Sequence, residues 1–443
     1  MTDVGALYRV FLSCPGGVVT DSRRPVPGAM FVALKGESFD GNLFAGKALE
    51  GGCSYAVVDD PGVIPSDDSA RYLLVDDGLE ALRLLAREHR RKLGTRLIGV
   101  TGTNGKTTTK ELLRAVLSRH FRVLATEGNL NNDIGVPLTL LRLRPEHEVG
   151  IVEMGASHPG DIRRLVEVAE PDFGIITNVG EAHLQGFGSI EGVARTKGEL
   201  YDFLRSRKGS QIFLNADDSR LCMMAAGLDA VAYGTSGNVR IWGESMESAS
   251  SDPCFSFAWR DCNCPDALYK VHTCLVGAYN LPNVLAACAV GVRFGVSPED
   301  ICAGIESYVP IQGRSRLVKT ERNRVVADAY NANPTSMEAA LCNFARMEAP
   351  HKMAVLGDMK ELGEASGRDH RRILELASGL GLDRLIVVGP EFASALSAGD
   401  IPVENYPDAA AVGELFRKTR PEGFLILLKG SHSMTLESLL PLL

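Results

Sequence analysis

The chain has 443 residues, too many for one ordinary hydrophobic core, so its length predicts two to four domains. Apolar residues make up 45% of it and charged residues 23%, which is normal for a globular protein. Its 47 basic and 55 acidic side chains give a net charge of −8, which excludes a broadly basic surface for nucleic acid. We therefore predict no nucleic-acid partner.

No segment approaches the run of roughly 18 apolar residues that a membrane helix requires, so no membrane span is predicted. The first residues, Met1–Val4, have no basic start before an apolar stretch, so we expect no signal peptide and a cytoplasmic protein. The ten cysteines are then expected to be thiols. One cluster could be read as a zinc site, but its C-x-C spacing with uneven flanking gaps favours a loop with incidental thiols. This cluster comprises Cys254, Cys262, Cys264, His272 and Cys274.

Residues 1–93 form a first region, in which short apolar runs alternate with Gly- and Pro-rich turns. The apolar runs lie at Met30–Leu34, Tyr55–Val58 and Tyr72–Val75, and a basic helical stretch follows at Leu79–Leu93. This pattern predicts a small α/β domain.

In the second region, residues 94–313, apolar strands alternate with amphipathic helices, which predicts a parallel sheet with helices on both faces. The predicted elements are Leu97–Val100, Thr107–His120, Val149–Val152, Ile162–Ala169 and Gly174–Thr177. An Ala-rich helix at 283–294 is expected to close this domain, and the stretch 236–265 is the least patterned. Ligands of such sheets gather at the carboxyl ends of the strands.

The third region, residues 314–443, predicts a smaller doubly wound, Rossmann-like sheet. Its strands are expected at Val325–Ala327, Met353–Leu356, Leu385–Val388 and Phe424–Leu428. The chain is therefore predicted to be an α/β protein of three domains.

The sharpest motif follows the strand at Arg96–Val100 and leads into a helix. Its glycines let consecutive backbone N–H groups point at phosphate oxygens, Lys106 is placed to contact the β and γ phosphates, and the Thr107 hydroxyl to bind Mg²⁺. Val100 stands where the strict pattern has its first Gly, and a turn with an incidental Gly-Lys-Thr is the alternative. The predicted ATP-binding residues here are Gly102, Thr103, Asn104, Gly105, Lys106, Thr107 and Thr108.

Three further polar residues follow in chain order. Glu153 is the first polar residue beyond a buried-type strand and is placed like a metal-binding carboxylate, although a surface Glu is the alternative. His183 also follows an apolar strand on the same sheet edge, which favours a ligand over an ordinary buried histidine. Lys197 falls on a predicted helix, where spacing alone indicates a solvated cation.

Together these pieces resemble the Mur ligase family nearly from end to end. The G-T-x-G-K-T loop, the Glu after the next strand, the Asn-x-Gly-x-Ala-His turn and a downstream Lys correspond to Gly102–Thr107, Glu153, Asn178–His183 and Lys197. The resemblance implies that Thr107, Glu153 and His183 hold Mg²⁺ and that Lys197 is carbamylated. It also implies that Arg314 swings onto the γ-phosphate when the domains close. The implied catalytic residues are Lys106, Glu153, His183, Lys197 and Arg314.

Other segments resemble the branch of the family that adds D-alanyl-D-alanine to UDP-MurNAc-tripeptide. They are Thr20–Arg23, Pro27-Gly28, Phe31–Gly36, Phe39–Gly41, Gly128–Pro137, Asp328–Pro334, Gly357–Met359, Glu361–Gly363 and Lys429–Ser431. The Asp-Asn-Pro-Arg motif of the diaminopimelate-adding relative is absent. The resemblance makes the first domain a UDP-sugar domain. It implies adenosine contacts from Asn280, Asp328 and Asn331, and substrate contacts from Ser22, Arg23, Asn131, Asn132 and Asn333.

Two residues depart from the family pattern, since Tyr279 stands where relatives usually carry His, and His432 where they carry Arg. A titrating His432 is expected to make activity more sensitive to pH. The implied reaction passes through an acyl phosphate, with ATP, Mg²⁺ and both substrates bound to a monomer. Two alternatives stay open, namely a sister ligase (another Mur ligase or folylpolyglutamate synthetase) and a nucleotide-binding scaffold without turnover.

Overall fold

A computed structural model of the protein describes residues 2–246, 254–310, 314–396 and 403–443. Within these residues the chain forms three separate sheets of four, nine and six strands. The predicted domain limit between 313 and 314 touches residue 313, which lies outside the described residues, and the three predicted boundaries stay predictions. Part of the stretch 236–265 also lies outside them, at 247–253.

The N-terminal sheet is parallel throughout and has the strand order β1-β2-β3-β4. Its strands are β1 (Val18–Val19), β2 (Met30–Val32), β3 (Tyr55–Val58) and β4 (Tyr72–Leu74). The helices of this part are α1 (Val4–Leu12), α2 (Ala45–Glu50) and α3 (Gly78–Leu93). The three predicted strands and the predicted helix are confirmed. Leu7 and Phe11 on α1 pack into the same core as Leu82 and Leu85 on α3.

The central sheet contains the following nine strands: β5 (Arg96–Thr101), β6 (Val123–Ala125), β7 (Val149–Glu153), β8 (Phe173–Ile176), β9 (Gln211–Asn215), β10 (Ala230–Gly234), β11 (Ile241–Met246), β12 (Cys254–Asp261) and β13 (Tyr269–Val276). Its helices are α4 (Lys106–Leu117), α5 (Gly135–Leu140), α6 (Asp161–Ala169), α7 (Leu184–Phe187), α8 (Ile190–Arg205), α9 (Ser219–Met224), α10 (Leu281–Phe294) and α11 (Pro298–Ser307). The strand order is β13-β12-β11-β10-β9-β8-β5-β7-β6.

The prediction of a parallel central sheet is correct for β5 to β11 and wrong at the other end, where β12 and β13 pair in antiparallel fashion. Residues 262–268 join these two strands and are too few for a parallel crossover, which needs about a dozen or more. The pair is locked by Trp259, which is fully buried and stacks on Tyr269 with ring centroids 5.1 Å apart.

The prediction that the helix at 283–294 closes the central region is also incomplete, because α11 follows it. Gly304 of α11 lies so close to α4 that a Cβ there would come within 2.8 Å of Val116 Cα. A glycine is therefore what allows α11 to pack against α4, the helix that begins at the phosphate loop.

The C-terminal sheet has the order β14-β15-β19-β16-β17-β18 and is parallel except for β14. Its strands are β14 (Arg316–Lys319), β15 (Arg324–Asp328), β16 (His351–Gly357), β17 (Arg384–Val388), β18 (Glu404–Tyr406) and β19 (Phe424–Lys429). Its helices are α12 (Pro334–Arg346), α13 (Ser366–Ser378), α14 (Pro390–Leu396) and α15 (Ala409–Thr419). All four predicted strands are confirmed, and the doubly wound architecture with them.

Strand β5 lies between β7 and β8 in the central sheet. The segments that leave the carboxyl ends of these three neighbouring strands therefore meet at one edge, where α/β sheets bind ligands. Across the described parts of the chain, no helix has both the length and the apolar character needed to cross a membrane.

Candidate active site

A cavity of about 710 Å³ lies where this edge of the central sheet faces the C-terminal sheet. The central part contributes the phosphate loop and the segments after β6, β7 and β8. The C-terminal part contributes Arg314, Asp328, Tyr330, Asn331 and Lys429. All the predicted catalytic residues except Lys197 line this cavity.

The phosphate loop turns through two glycines that no other residue could replace easily. Gly102 has φ +143° and Gly105 has φ +80°. A Cβ on Gly102 would lie 2.0 Å from Thr177 Oγ1, and one on Gly105 would lie 2.6 Å from Asn283 Oδ1. Thr177 and Asn283, which sequence reasoning did not select, thus set the path of the loop.

Lys106 begins α4 and folds back over the loop. Its Nζ donates hydrogen bonds of 2.8 and 2.9 Å to the carbonyl oxygens of Gly102 and Thr103. Burial lowers the pKa of Lys106, and Arg314 lowers it further, while Glu153 opposes them. Thr107 and Thr108 follow on the helix and also line the cavity, with Thr107 buried.

Glu153 is the last residue of β7 and is buried. Its backbone N–H donates to Thr126 Oγ1 over 2.9 Å, and its Oε1 accepts a 2.9 Å hydrogen bond from Asn131 Nδ2. Oε2 is buried and has no hydrogen-bond partner among the described residues. One carboxylate oxygen is thus held by Asn131, and the other accepts no hydrogen bond from the described residues.

His183 has the left-handed backbone conformation, with φ +51°. Its Nδ1 is paired with the carboxylate of Glu361, which comes from the C-terminal part and also has positive φ, +65°. Burial lowers the pKa of His183, Lys106 and Lys197 lower it further, and Glu361 opposes them. A neutral imidazole suits a metal or phosphate contact, and Glu361 is the residue that fixes its orientation.

Lys197 lies on α8, as predicted, but it is buried, not a solvated cation. Its Nζ sits 5.5 Å from the centroid of the Phe187 ring. Burial, reinforced by Lys106, holds the pKa of Lys197 well below its usual value, against the opposing charges of Asp161 and Glu199. A lowered pKa favours the neutral form of an amine, which is the form that acts as a nucleophile.

Arg314 lies on the C-terminal wall of the cavity. Its guanidinium carbon is 3.8 Å from the centroid of the Tyr330 ring, and its Nε is buried without a hydrogen-bond partner among the described residues. The rings of Tyr330 and exposed His432 are 5.6 Å apart. The contact with the Tyr330 ring restricts where the guanidinium can lie, and a planar guanidinium held in this way suits bidentate phosphate contacts.

Asp328 and Asn331 lie beside Lys429. This buried residue belongs to one of the family-like segments, but no role was predicted for it. Lys429 Nζ is 2.7 Å from Asp328 Oδ2 and donates to the carbonyl oxygen of Asn331 over 3.3 Å. Lys429 therefore holds the Asp328 carboxylate in place at the cavity wall, where it can accept hydrogen bonds. Asn331 uses Oδ1 to accept from the Ala332 N–H over 2.8 Å.

Three other predicted asparagines have their amide groups engaged within the protein. Asn280 Nδ2 donates to Val276 O over 3.1 Å, and its Oδ1 accepts from Asn283 Nδ2 over 3.0 Å. Asn132 Oδ1 accepts from the N–H of Gly135 at the start of α5 over 2.8 Å. Asn333 precedes α12 and is buried. The predicted ligand contacts of these residues remain predictions.

Tyr279, one of the two departures, donates or accepts a 2.8 Å hydrogen bond with Ser315 Oγ next to Arg314. The predicted UDP-sugar residues Ser22 and Arg23 lie in a turn after β1 and do not line the cavity. Arg23 is exposed and forms an ion pair of 2.8 Å with Asp21.

Magnesium fits this edge of the cavity, because Thr107 offers a hydroxyl and Glu153 a buried carboxylate oxygen that no described residue contacts by a hydrogen bond. No group of three or more His, Cys, Asp or Glu side chains within the described ranges is arranged to hold a metal ion. A Mg²⁺ ion held by these residues would take further oxygen ligands from a nucleotide, which is the usual situation for Mg²⁺.

Three family models match the chain. They are the Mur ligase family catalytic domain over residues 16–90, the Mur ligase middle domain over 100–291, and the Mur ligase glutamate ligase domain over 313–432. Among curated proteins, the UDP-N-acetylmuramoyl-tripeptide--D-alanyl-D-alanine ligases of Bacillus subtilis and Escherichia coli are each 35% identical to it. The matches cover 96% and 95% of this chain, and 92% of each relative.

Solved structures agree with these matches. MurF from Acinetobacter baumannii superposes with a TM-score of 0.85 at 32% identity, covering 96% of this chain and 92% of the other. MurF ligase from Thermotoga maritima, solved in complex with ADP, gives a TM-score of 0.85 at 27% identity, covering 100% and 98%.

Proposed function

The chain belongs to the Mur ligase family, and on that premise we propose that it joins D-alanyl-D-alanine to UDP-MurNAc-tripeptide in peptidoglycan precursor synthesis. The reaction consumes ATP and releases ADP and phosphate. The observation that carries the proposal is the 35% identity to ligases of this activity over nearly the whole chain. The cavity supports it, because groups for phosphate, cation and nucleotide converge there from two sheets.

We propose that ATP lies along the phosphate loop, with Lys106 leaving its loop carbonyls to contact the β and γ phosphates. Backbone N–H groups from Gly102 to Thr108 would surround the phosphate oxygens at the N-terminus of α4. Asp328 would accept hydrogen bonds from ribose hydroxyls, with Asn280 and Asn331 at the adenosine. Arg314 would reach the γ-phosphate from the opposite wall.

We assign Mg²⁺ to Thr107, Glu153 and His183 together with nucleotide oxygens. The ion would neutralise charge on the phosphates and so reduce the repulsion between two anionic substrates. The free Oε2 of Glu153 supports this assignment most directly.

We propose the following bond changes. The terminal carboxylate of the tripeptide attacks the γ-phosphorus, and the bond to the bridging oxygen of ADP breaks. The resulting acyl phosphate carries a good leaving group. The amine of D-alanyl-D-alanine then attacks the acyl carbon, phosphate departs and the amine loses a proton. Arg314 and Lys106 stabilise the charge that spreads over the transferred phosphoryl oxygens.

We further propose that the neutral amine of Lys197 adds CO2, forming a carbamate and releasing a proton. Its lowered pKa and its burial support this modification. Incubation with ¹³CO2 should give a carbamate carbon signal in NMR spectra that is absent from Lys197→Ala. If wild type and Lys197→Ala give the same spectrum, Lys197 is not carbamylated.

The remaining proposals concern organisation. We assign residues 1–93 to UDP-sugar binding through Ser22 and Arg23, residues 94–313 to ATP binding, and residues 314–443 to the closing C-terminal domain. Asn131 and Asn132 are assigned to the substrate side. We expect a monomer that works in the cytoplasm, where ATP and nucleotide-linked sugars are available.

The test is phosphate release from ATP with Mg²⁺, UDP-MurNAc-tripeptide and D-alanyl-D-alanine, each left out in turn. The proposal requires all three and a pentapeptide product detected by mass. Turnover with a single amino acid in place of the dipeptide would move the chain to a sister ligase. Binding of ATP without turnover would make it a scaffold.

A further inference from the structure

The side-chain amides of Asn104 and Asn333 are hydrogen-bonded to each other between the central and the C-terminal parts of the molecule. Asn333 Nδ2 donates to Asn104 Oδ1 over 2.8 Å, and Asn104 Nδ2 donates to Asn333 Oδ1 over 3.3 Å. Asn104 belongs to the phosphate loop of the central part, and Asn333 immediately precedes α12 of the C-terminal part. The phosphate loop is thus joined directly to the C-terminal part of the molecule.

Asn104 is held from behind by its own part of the molecule. Its backbone N–H donates to Asn178 Oδ1 over 2.9 Å, and its carbonyl oxygen accepts from Thr177 Oγ1 over 2.6 Å and from Asn178 Nδ2 over 3.0 Å. The backbone needs are satisfied, so the amide side chain is directed outward at a fixed place.

Asn333 is held equally firmly on the other side. Its Oδ1 accepts from the N–H of Ser336 over 2.9 Å, and its own N–H donates to Ser336 Oγ over 3.1 Å, which makes a capping box at the start of α12. The residue is only 3% exposed. Any movement of this amide therefore moves the helix, and with it Thr335 and Ser336 on the cavity wall.

The pairing suits asparagine in particular. An amide presents a donor and an acceptor side by side, so two of them can satisfy each other, whereas a carboxylate can only accept. A neutral pair also carries no charge that would compete for Lys106 or repel the phosphates beside it. Serine would cap α12 as well as asparagine, but it is too short to reach Asn104.

We propose that Asn104 and Asn333 form a positioning pair that sets the C-terminal wall of the cavity relative to the phosphate loop, and that their side chains do not bind substrate. The proposal rests on the proposed ligase function, for which ATP must be contacted from both walls at once. Loss of the pair leaves the phosphate loop intact but slows the step that needs Arg314 and the loop together.

A double-mutant cycle tests the pair, using Asn104→Ala, Asn333→Ser and both together. Asn333→Ser keeps the helix cap and removes the contact. Each single variant is expected to lower kcat about tenfold, consistent with the net worth of one or two hydrogen bonds. The double variant is expected to be no slower than the singles. The Kd for ATP is expected to stay within about twofold in Asn333→Ser, which leaves the phosphate loop unchanged.

Arg372→Ala is the matched control, because Arg372 pairs with Glu181 across the same two parts over 3.1 Å but on the exposed surface, outside the cavity lining. It is expected to change kcat by less than twofold or so. Multiplicative losses in the double variant would overturn the proposal. So would an Asn333→Ser variant whose loss lies in KM for the UDP substrate with unchanged kcat, since that would make Asn333 a substrate contact.

A second readout does not depend on turnover. Small-angle scattering of the nucleotide-free protein is expected to show a larger radius of gyration in Asn104→Ala and in Asn333→Ser, and no further increase in the double variant. Unchanged scattering in both single variants would overturn the pair even if the wild type proved inactive. A wild type without turnover but with this scattering pattern would instead count against the ligase assignment alone.

Discussion

Asn131 Nδ2 donates a 2.9 Å hydrogen bond to Oε1 of Glu153, while Oε2 of the same carboxylate is buried without a partner among the described residues. The two oxygens thus differ, because Oε1 fixes the side chain through Asn131 and Oε2 has no such contact with the described residues. Asn131 was predicted to bind substrate, and the structure gives its amide this supporting contact as well.

Asn131→Ala is expected to weaken Mg²⁺-dependent turnover by about 10- to 100-fold, the usual cost of losing a residue that orients a metal ligand. The Mg²⁺ concentration for half-maximal rate should rise, and nucleotide binding without Mg²⁺ should be unchanged. Asn129→Ala, at an exposed position of the same loop, is the control. Equal Mg²⁺ dependence in both variants would contradict the role.

Gly102→Ala is expected to abolish ATP binding and to destabilise the fold. The added Cβ would lie 2.0 Å from Thr177 Oγ1 at φ +143°, so the loop or β8 must move, at a cost of about 1–3 kcal/mol for overpacking. Urea unfolding and ATP titration measure the two effects. Gly94→Ala is the matched control, since its φ is +65° but nothing lies within 4 Å. It should lose some stability and no ATP affinity.

Arg314→Lys is expected to lower kcat/KM for ATP nearly as much as Arg314→Ala, because an ammonium cannot stack on Tyr330 or form a two-pronged contact with phosphate. Tyr330→Phe keeps the aromatic face and should retain most activity, whereas Tyr330→Leu should lose about tenfold, the order of a cation–π contact at a partly desolvated site. An active Arg314→Lys variant would show that charge alone suffices.

Lys197→Met is expected to stabilise the protein near neutral pH in CO2-free buffer. Because burial lowers the pKa of Lys197 in the folded state, the unfolded state binds more protons between that pKa and the ordinary value of 10.5. The free-energy cost of burying Lys197 on folding is therefore largest at pH values below its folded-state pKa. This cost disappears as the pH rises toward 10.5. Urea unfolding from pH 6 to 10 should show the advantage of Lys197→Met shrinking with pH. A constant difference would mean that Lys197 does not titrate in this way.

Much of the fold was predictable because buried parallel strands read as continuous apolar runs, as at Val149–Glu153 and Phe424–Lys429. The phosphate loop was predictable because its glycines, Lys106 and Thr107 are contiguous in the chain. The antiparallel pair β12 and β13 was missed although its strands carry a period-2 signal. Alternate residues are buried along both, at Phe255, Phe257 and Trp259 on β12 and at Val271, Thr273 and Leu275 on β13.

The residues that sequence reasoning missed act across long separations. Glu361 reaches His183, and Lys429 reaches Asp328, from strands and loops that only the folded topology brings together. Each of these two residues belongs to a segment that resembles the family, but neither was predicted to have a role. A polar residue beyond a predicted strand end was the only indication present in the sequence. Lys197 shows the opposite limit, because helix spacing gave no indication that its ammonium is buried.

The cavity has one wall from the central sheet and one from the C-terminal sheet, so a bound ligand can couple the heat denaturation of the two parts. A ligand that contacts both walls binds only when both parts are folded, so its binding free energy is lost if either part melts. In calorimetric scans, the unfolding transitions of the two parts should therefore merge toward one sharper transition as ATP is added. A compound that binds only to the phosphate loop should raise the melting temperature of the central part and leave that of the C-terminal part unchanged. The shape of the scan thus distinguishes inhibitors that span the two parts from those that occupy one.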